Sequence, residues 1–269
     1  MNSAFRILLV SALFLAGPRG VAAQRQEGRE IRVAAAADLH FAMNELAQQF
    51  ENSSSTRVRV TYGSSGNFFS QLQNDAPFDL FFSADIAYPR KLEAAGLAEP
   101  GTLCEYASGR IVIWMPADAK VDVAKEGWKA LLDSSVPKIA IANPKLAPYG
   151  RAAVSALENA GIYEQVKTKL IYGENISQAA QFVQSGNAQA GIVALSLAVS
   201  PAMKEGKRWE IPAEMFPPIE QAAILMKNAR DKDGARAFLH FVQSPAGKEI
   251  LGKNGFTPAE SGHQGAVTK

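Results

Sequence analysis

An α/β architecture, with parallel-rich sheets covered by helices, is what this sequence predicts, and three observations support it. Strand-like and helix-like segments alternate from Glu30 to Val242. Several strands are short and almost continuously apolar, as in Ala190-Gly191-Ile192-Val193-Ala194, the pattern of strands buried on both faces. The strand–helix units of this 269-residue chain are numerous enough for two lobes.

The segments can be justified in order. Glu30 to Ala36 reads as a strand. Asp38 follows where a residue capping a helix from His40 to Phe50 would stand, with Phe41, Leu46 and Phe50 along one side. Arg57 to Tyr62 alternates in the strand manner, and Gly63-Ser64-Ser65-Gly66 is a small-residue turn into a helix through Leu72. Asp79 to Phe82 reads as a buried strand, and Asp85 opens a helix that ends near Gly96. Arg110 to Met115 is a strand closed by Pro116, and Trp128 to Leu132 a short helix. Then come a strand at Lys138 to Ala142, a helix from Gly150 to Asn159, another from Ile162, and a strand at Leu170 to Tyr172. The helix Ile176 to Gln184 gathers Ile176, Ala179, Ala180 and Val183 on one face. A buried strand at Ala190 to Leu195 and a strand at Glu220 to Met226 precede helices at Lys232 to Val242 and Pro245 to Leu251, the second opened by its proline. Gly255 onward reads as a tail.

The N-terminus sets the compartment. Arg6 precedes the ten-residue apolar run Ile7 to Ala16, broken only by Ser11 and too short to span a bilayer, and the small residues Val21-Ala22-Ala23 follow Gly17-Pro18. That order predicts a signal peptide over residues 1–23, cleaved after Ala23. No cysteine in it invites lipid attachment, so a soluble exported protein is expected. Cleavage removes Arg6 and Arg19 and leaves 26 basic against 26 acidic residues. This balance gives no reason to expect nucleic acid, and it provides no bulk charge to steer an anion. Any anion site must be built locally. Cys104 is the one cysteine, so no intrachain disulfide forms, and His40, His240 and His263 lack metal-ligand spacing.

Four segments share one design, a strand running through a small polar turn into a helix N-terminus: Ala35-Ala36-Ala37-Asp38, Gly63-Ser64-Ser65-Gly66, Asn143 to Gly150, and Gly173-Glu174-Asn175-Ile176. Helix N-termini present unpaired N–H groups and partial positive charge, small residues let a ligand approach the backbone, and serine hydroxyls add donors. If the four ends converged, they would bind a small oxyanion without lysine or arginine. Enzyme signatures are missing: no Gly-x-Ser-x-Gly elbow and no Gly-x-x-x-x-Gly-Lys-Ser/Thr loop occurs. Asp79 and Asp85 flank Ser83, and both are read as turn and cap residues.

At these turns the sequence resembles the periplasmic molybdate-binding protein family, the solute receptors of ABC importers. The matching pieces are Val33-Ala34-Ala35-Ala36-Ala37-Asp38-Leu39, Tyr62-Gly63-Ser64-Ser65-Gly66, Ala76-Pro77-Phe78-Asp79-Leu80-Phe81-Phe82-Ser83-Ala84-Asp85, Ile141-Ala142-Asn143-Pro144, Pro148-Tyr149-Gly150, Gly191-Ile192-Val193 and Gly255-Phe256-Thr257. They run through essentially the whole mature chain in the family's order.

The resemblance implies a two-lobed periplasmic binding protein of type II, with its ligand cleft between the lobes. Lobe one would be residues 24–107 plus 221–269 and lobe two 108–220, with crossing strands near Arg110 to Met115 and Glu220 to Met226. It implies a monomer without catalytic residues or cofactor, which takes molybdate or tungstate and delivers it to a membrane permease. The metal enters only inside its oxyanion, which is held by hydrogen bonds. Carried over, the ligand-binding residues are Ala37 and Asp38 in the first turn, Ser64 and Ser65 in the second, Tyr149, and the backbone N–H of Ile176. Two positions depart from the family. Asp38 stands where many members have serine. A carboxylate facing a dianion would repel it, so Asp38 is expected to turn away and cap its own helix. Ala194 stands where some members have a tyrosine, and Tyr149 is expected to replace that donor. Three other readings stay open: a receptor for sulfate or phosphate, with phosphate gaining if the Asp38 carboxylate faced the cleft; an envelope enzyme using Asp79, Ser83 or Asp85; and an organic-acid receptor using Arg151.

Overall fold

The computed structural model describes residues 29–259. The expected signal peptide, His263 and the polar end of the chain lie outside the described residues.

The chain starts in one sheet, crosses to a second, and returns. β1 (Glu30–Ala36), α1 (His40–Ser53), β2 (Arg57–Gly63), α2 (Ser65–Leu72), β3 (Leu80–Ser83), α3 (Ala87–Ala94) and β4 (Cys104–Gly109) come first. The second sheet takes β5 (Ile111–Met115), α4 (Val123–Glu126), β6 (Ile139–Ala142), α5 (Pro148–Asn159), α6 (Tyr163–Val166), β7 (Leu170–Gly173), α7 (Ile176–Gln184), β8 (Ala190–Ala194), α8 (Leu195–Ala198) and β9 (Lys207–Glu210). β10 (Ile219–Leu225), α9 (Lys232–Gln243), α10 (Pro245–Lys253) and β11 (Thr257–Pro258) return to the first. Strand orders are β11-β4-β10-β3-β1-β2 and β7-β6-β8-β5-β9. β1, β2 and β3 run parallel, as do β6, β7 and β8, while β10 and β5 pair antiparallel with their neighbours.

Burial explains these choices. Val33, Ala34 and Ala35 are wholly buried because β1 sits inside its sheet with helices on both faces. α9 lays Phe238 against Phe50 of α1 and Phe82 of β3, with ring centroids 5.1 and 6.0 Å apart. Cys104 is half-buried in β4.

The structure adds three strands to the sequence reading. β4 lacks an apolar alternation, and β9 is an edge strand rich in charge, so neither has a hydrophobic period. The expected tail instead places Thr257 and Pro258 beside Ser108 and Ala107 of β4. Proline is tolerated there because the strand lies at the sheet edge. β4 stays in the first sheet to Gly109, so the first crossing falls at Arg110, two residues beyond the expected boundary, and Ile111–Met115 belongs wholly to the second sheet.

Asp79 holds the base of the first sheet. It is 2% exposed, and its carboxylate accepts the backbone N–H of Arg32 and of Arg230, each at 2.6 Å. One carboxylate thus ties the start of β1 to the segment entering α9. Removing it would leave two N–H groups without their charged acceptor, each bond being worth roughly 1.5–3 kcal/mol. Asp79→Ala is expected to lower stability by about 3–6 kcal/mol on that basis, seen as a reduced urea midpoint with an unchanged m-value.

Candidate oxyanion site at the seam between the sheets

The parallel register Ala36↔Gly63 puts the turns that follow β1 and β2 side by side. From the other sheet, the N-termini of α5 and α7 face them. Ser177 of α7 donates to the Ala37 carbonyl at 2.9 Å. The Gly66 N–H donates to the Leu146 carbonyl at 3.0 Å, and a Cβ on Gly66 would lie 2.6 Å from that oxygen. Asn67 donates to Glu174 at 2.7 Å, and Arg151 pairs with Asp85. All four expected turns therefore converge, and the cleft is closed.

Local sequence explains the placement. Pro148 keeps Ala147 extended, at φ −121° and ψ 129°, just before α5 begins. Gly150 packs so closely that a Cβ would lie 2.2 Å from the Ala142 carbonyl. Together they deliver Tyr149 into the seam, where it is 2% exposed. Asn175 caps α7 by accepting from the Gln178 N–H at 3.0 Å. Ile176 is then the first residue of that helix, where a backbone N–H has no intrahelical acceptor.

The serines divide their work. Ser64 is the N-cap of α2 and accepts from the Asn67 N–H at 3.4 Å. Ser65, 1% exposed, accepts the Ala84 N–H at 3.0 Å. That bond occupies an oxygen lone pair and leaves the Ser65 O–H proton for another acceptor.

Asp38 departs from the sequence reading. A short 3-10 turn, Ala37–Leu39, comes before α1, so Leu39 takes the N-cap place and the Asp38 side chain caps nothing. The carboxylate lies in the seam, 1% exposed. Its Oδ2 accepts the Tyr149 hydroxyl at 2.9 Å and the Gln221 amide at 2.6 Å. Oδ1 is buried without a hydrogen-bond partner. The reason is geometric: the 3-10 turn aims the side chain across the seam, where two neutral donors receive it. The single hydroxyl proton of Tyr149 is thus directed at Asp38, while its oxygen accepts from Gln221 at 2.9 Å.

Gln221 was not singled out by sequence reasoning. It is fully buried in β10 and also accepts the Tyr106 hydroxyl at 2.7 Å. A β-bulge follows it. The available signal was a lone uncharged polar residue directly before the apolar run Ala222 to Met226. Gly109 completes the packing: a Cβ there would meet the Tyr149 hydroxyl at 2.2 Å.

Burial pushes the Asp38 carboxyl up to about 6, against the opposing pull of the Gln221 and Tyr149 hydrogen bonds and of the nearby backbone N–H dipoles of Asp38 and Leu39. Burial, and then the Asp38 charge, hold Tyr149 and Tyr106 well above the usual phenol range, so both stay neutral.

Other candidates have structural employment. Ser83 and Asp85 bond to each other, and Asp85 also accepts the Ala87 N–H at 2.8 Å. Arg151 is spent on Asp85 and on the face of Tyr88. Ala194 is buried beside Ile111 and offers no side-chain donor. Among the described residues no cluster of three or more His, Cys, Asp or Glu could hold a metal ion.

The family model of bacterial extracellular solute-binding proteins matches residues 31–257. The protein called molybdate-binding protein ModA in Azotobacter vinelandii is 36% identical over 248 residues, 92% of this chain and 97% of that one. The chain belongs to the ModA-like family of solute-binding proteins. Its counterpart in Rhodobacter capsulatus is also 36% identical, over 93% of this chain and 96% of its own. The solved periplasmic molybdate-binding protein of A. vinelandii aligns with a TM-score of 0.80 at 31% identity, covering 86% of this chain and all of that one. The sulfate-binding protein SubI of Mycobacterium tuberculosis shares the fold, with a TM-score of 0.66 at 15% identity. Membership makes this solute-binding protein a periplasmic receptor and not an enzyme.

The free protein's stability depends on pH through the buried Asp38 carboxyl. Raising it from 3.8 to about 6 means that the folded state favours the protonated form. Its stabilising contribution is full below pH 4 and is lost as pH rises through 6. Between pH 4.5 and 7.5 the loss amounts to about 2 kcal/mol. Asp38→Asn does not titrate, so its melting temperature relative to the parent should rise by about 4–8 °C over that interval, read by paired thermal melts without added anion.

Proposed function

We propose that this solute-binding protein takes molybdate or tungstate as a dehydrated tetrahedral dianion in the seam and delivers it to the permease of an ABC importer. The observation that supports this reading best is the convergence of four small-residue turns from both sheets, with neutral donors and, among the described residues, no lysine or arginine free to face the anion. The ligand-binding set is Ala37, Asp38, Ser64, Ser65, Tyr149 and Ile176. Ser65 donates through its free hydroxyl proton, and Ile176 through a helix-terminal N–H. Tyr149 reaches the anion by turning its O–H from Asp38. The two sheets with their helices act as two lobes, residues 24–107 with 221–269 and residues 108–220, the first crossing being adjusted to Arg110. Export uses the signal peptide of residues 1–23, and the receptor works as a monomer.

One observation favours a second reading. The Asp38 carboxylate lies in the seam, where it could accept the proton of a hydrogen phosphate, a bond that donor-only sites lack. Parallel calorimetric titration separates the two. Molybdate and tungstate are expected to bind one per chain, with sulfate silent at similar concentration; tight binding of phosphate instead would reverse the assignment.

Ser65→Ala removes one buried hydrogen bond to a charged oxygen, worth roughly 1.5–3 kcal/mol. Affinity for molybdate should fall by about tenfold or more while the protein still folds. A titration curve equal to the parent's would take Ser65 out of the site.

A further inference from the structure

The Asp38 carboxylate poses a charge problem in the reading above, on which this inference rests. A dianion placed in the seam meets a carboxylate 1% exposed, whose neighbours are neutral. Oδ2 already holds its two donors, Tyr149 and Gln221. Oδ1 is buried and has no partner.

Among the described residues no cation relieves the charge. Of the elements packed against the Ala37–Leu39 turn, α7 and α8 carry no Asp, Glu, His, Lys or Arg. α1 brings His40, whose ring packs at 4.6 Å on Tyr62 of β2. The charged residues of those two elements, Glu45, Glu51, Arg57 and Arg59, are engaged elsewhere or exposed: Glu45 with Lys253, Glu51 with the Val58 N–H, Arg59 with Glu30, and Arg57 at the surface. From β4 comes Tyr106, bonded to Gln221, with Cys104 and Glu105 on the same strand; from α5 comes Tyr149, with Arg151 paired to Asp85; and Glu220 of β10 is exposed. Two acidic groups that share a buried site with neutral donors alone do not both stay ionised.

We propose that Asp38 couples oxyanion binding to proton uptake: one proton enters from solvent with each dianion, and Asp38, as a neutral carboxylic acid, donates it through Oδ1 to an anion oxygen. The unpartnered oxygen thereby gains a partner, and the carboxyl group supplies the hydroxyl-type donor that a serine would supply at this turn. Oδ2 keeps accepting from Gln221, which holds the group in place. The bond formed is Oδ1–H, the proton is taken from water or buffer, and nothing is oxidised or reduced. Burial that already favours the protonated acid in the free protein acts in the same direction.

Linkage makes this measurable. Above the range in which free Asp38 is protonated, uptake of one proton lowers affinity about tenfold per pH unit. The test is calorimetric titration of the mature protein with sodium molybdate, from pH 6 to 8.5, in pairs of buffers that differ in ionisation enthalpy. Near pH 7.5, close to one proton should be taken up per anion, and affinity should drop by about tenfold between pH 7 and 8. Asp38→Asn and Asp38→Ser, which cannot titrate, should bind without proton uptake and without that slope. Tyr149→Phe, which loses a donor to the anion, should bind more weakly yet still show proton uptake and the slope, because the acid remains. Molybdate binding by the parent without proton uptake would overturn the proposal, and so would uptake that persists undiminished in Asp38→Asn. If molybdate and tungstate give no heat and phosphate binds in their place, the ligand reading fails instead. The proton count is then read on phosphate, where an Asp38 that stays ionised to accept a ligand proton gives no uptake near pH 7.5 and overturns the proposal.

Discussion

Everything at the seam is arranged around a buried carboxylate held by neutral donors from both sides. Asp38 comes from the turn after β1, Tyr149 from the start of α5, and Gln221 from β10, the strand by which the chain returns to the first sheet. A charge removed from water is costly unless its oxygens are satisfied. The molecule satisfies one oxygen twice and the other not at all. That imbalance is concentrated where the two sheets meet, so in the proposed site the stability of the fold and the affinity for an anion draw on the same few donors.

The surrounding parts follow from this constraint. Close approach of the turns requires Gly66 and Gly109, where a Cβ would run into an oxygen across the gap, while Gly150 lets α5 pack against the Ala142 carbonyl of its own sheet. The side-chain contacts that cross the seam apart from the Asp38 carboxylate are of two kinds. Ser177 to Ala37 and Ser196 to the Asp38 carbonyl are short, buried or half-buried bonds that fix the first turn. Asn67 to Glu174 and Arg151 to Asp85 lie nearer solvent, where such pairs contribute little on their own. Their effect is one of register: they align the N-termini of α5 and α7 with the turns opposite.

A site of this kind discriminates by which protons it can offer and accept. Helix-terminal N–H groups only have protons to give, and the Ser65 hydroxyl, whose oxygen already accepts the Ala84 N–H, has its own proton to offer, so in the proposed site they suit an anion that is all acceptor. Among the described residues of the seam, Asp38 is the one buried carboxyl, a donor when protonated and an acceptor when ionised.

Much of this protein was legible in the sequence, because its signals are local. The apolar strands, the proline before Tyr149, the small residues at the turns and the serine at Ser65 declare themselves over a few residues, since backbone geometry and helix capping depend on immediate neighbours. Seven short pieces in the family's order, Ala76 to Asp85 among them, were also enough to point to the family. What only the tertiary structure decided is where polar side chains end. A cap for α1 was the local reading of Asp38, but a 3-10 turn turned it toward partners 111 and 183 residues away. Gln221 looked like one polar residue at the edge of an apolar strand, and its importance comes from Tyr106, Tyr149 and Asp38 meeting it. β4, β9 and β11 had no hydrophobic period, because edge position and a polar neighbourhood remove it. Whether a carboxylate is a cap or the centre of a buried network depends on which distant donors the fold brings within about 3 Å, and no local pattern encodes that.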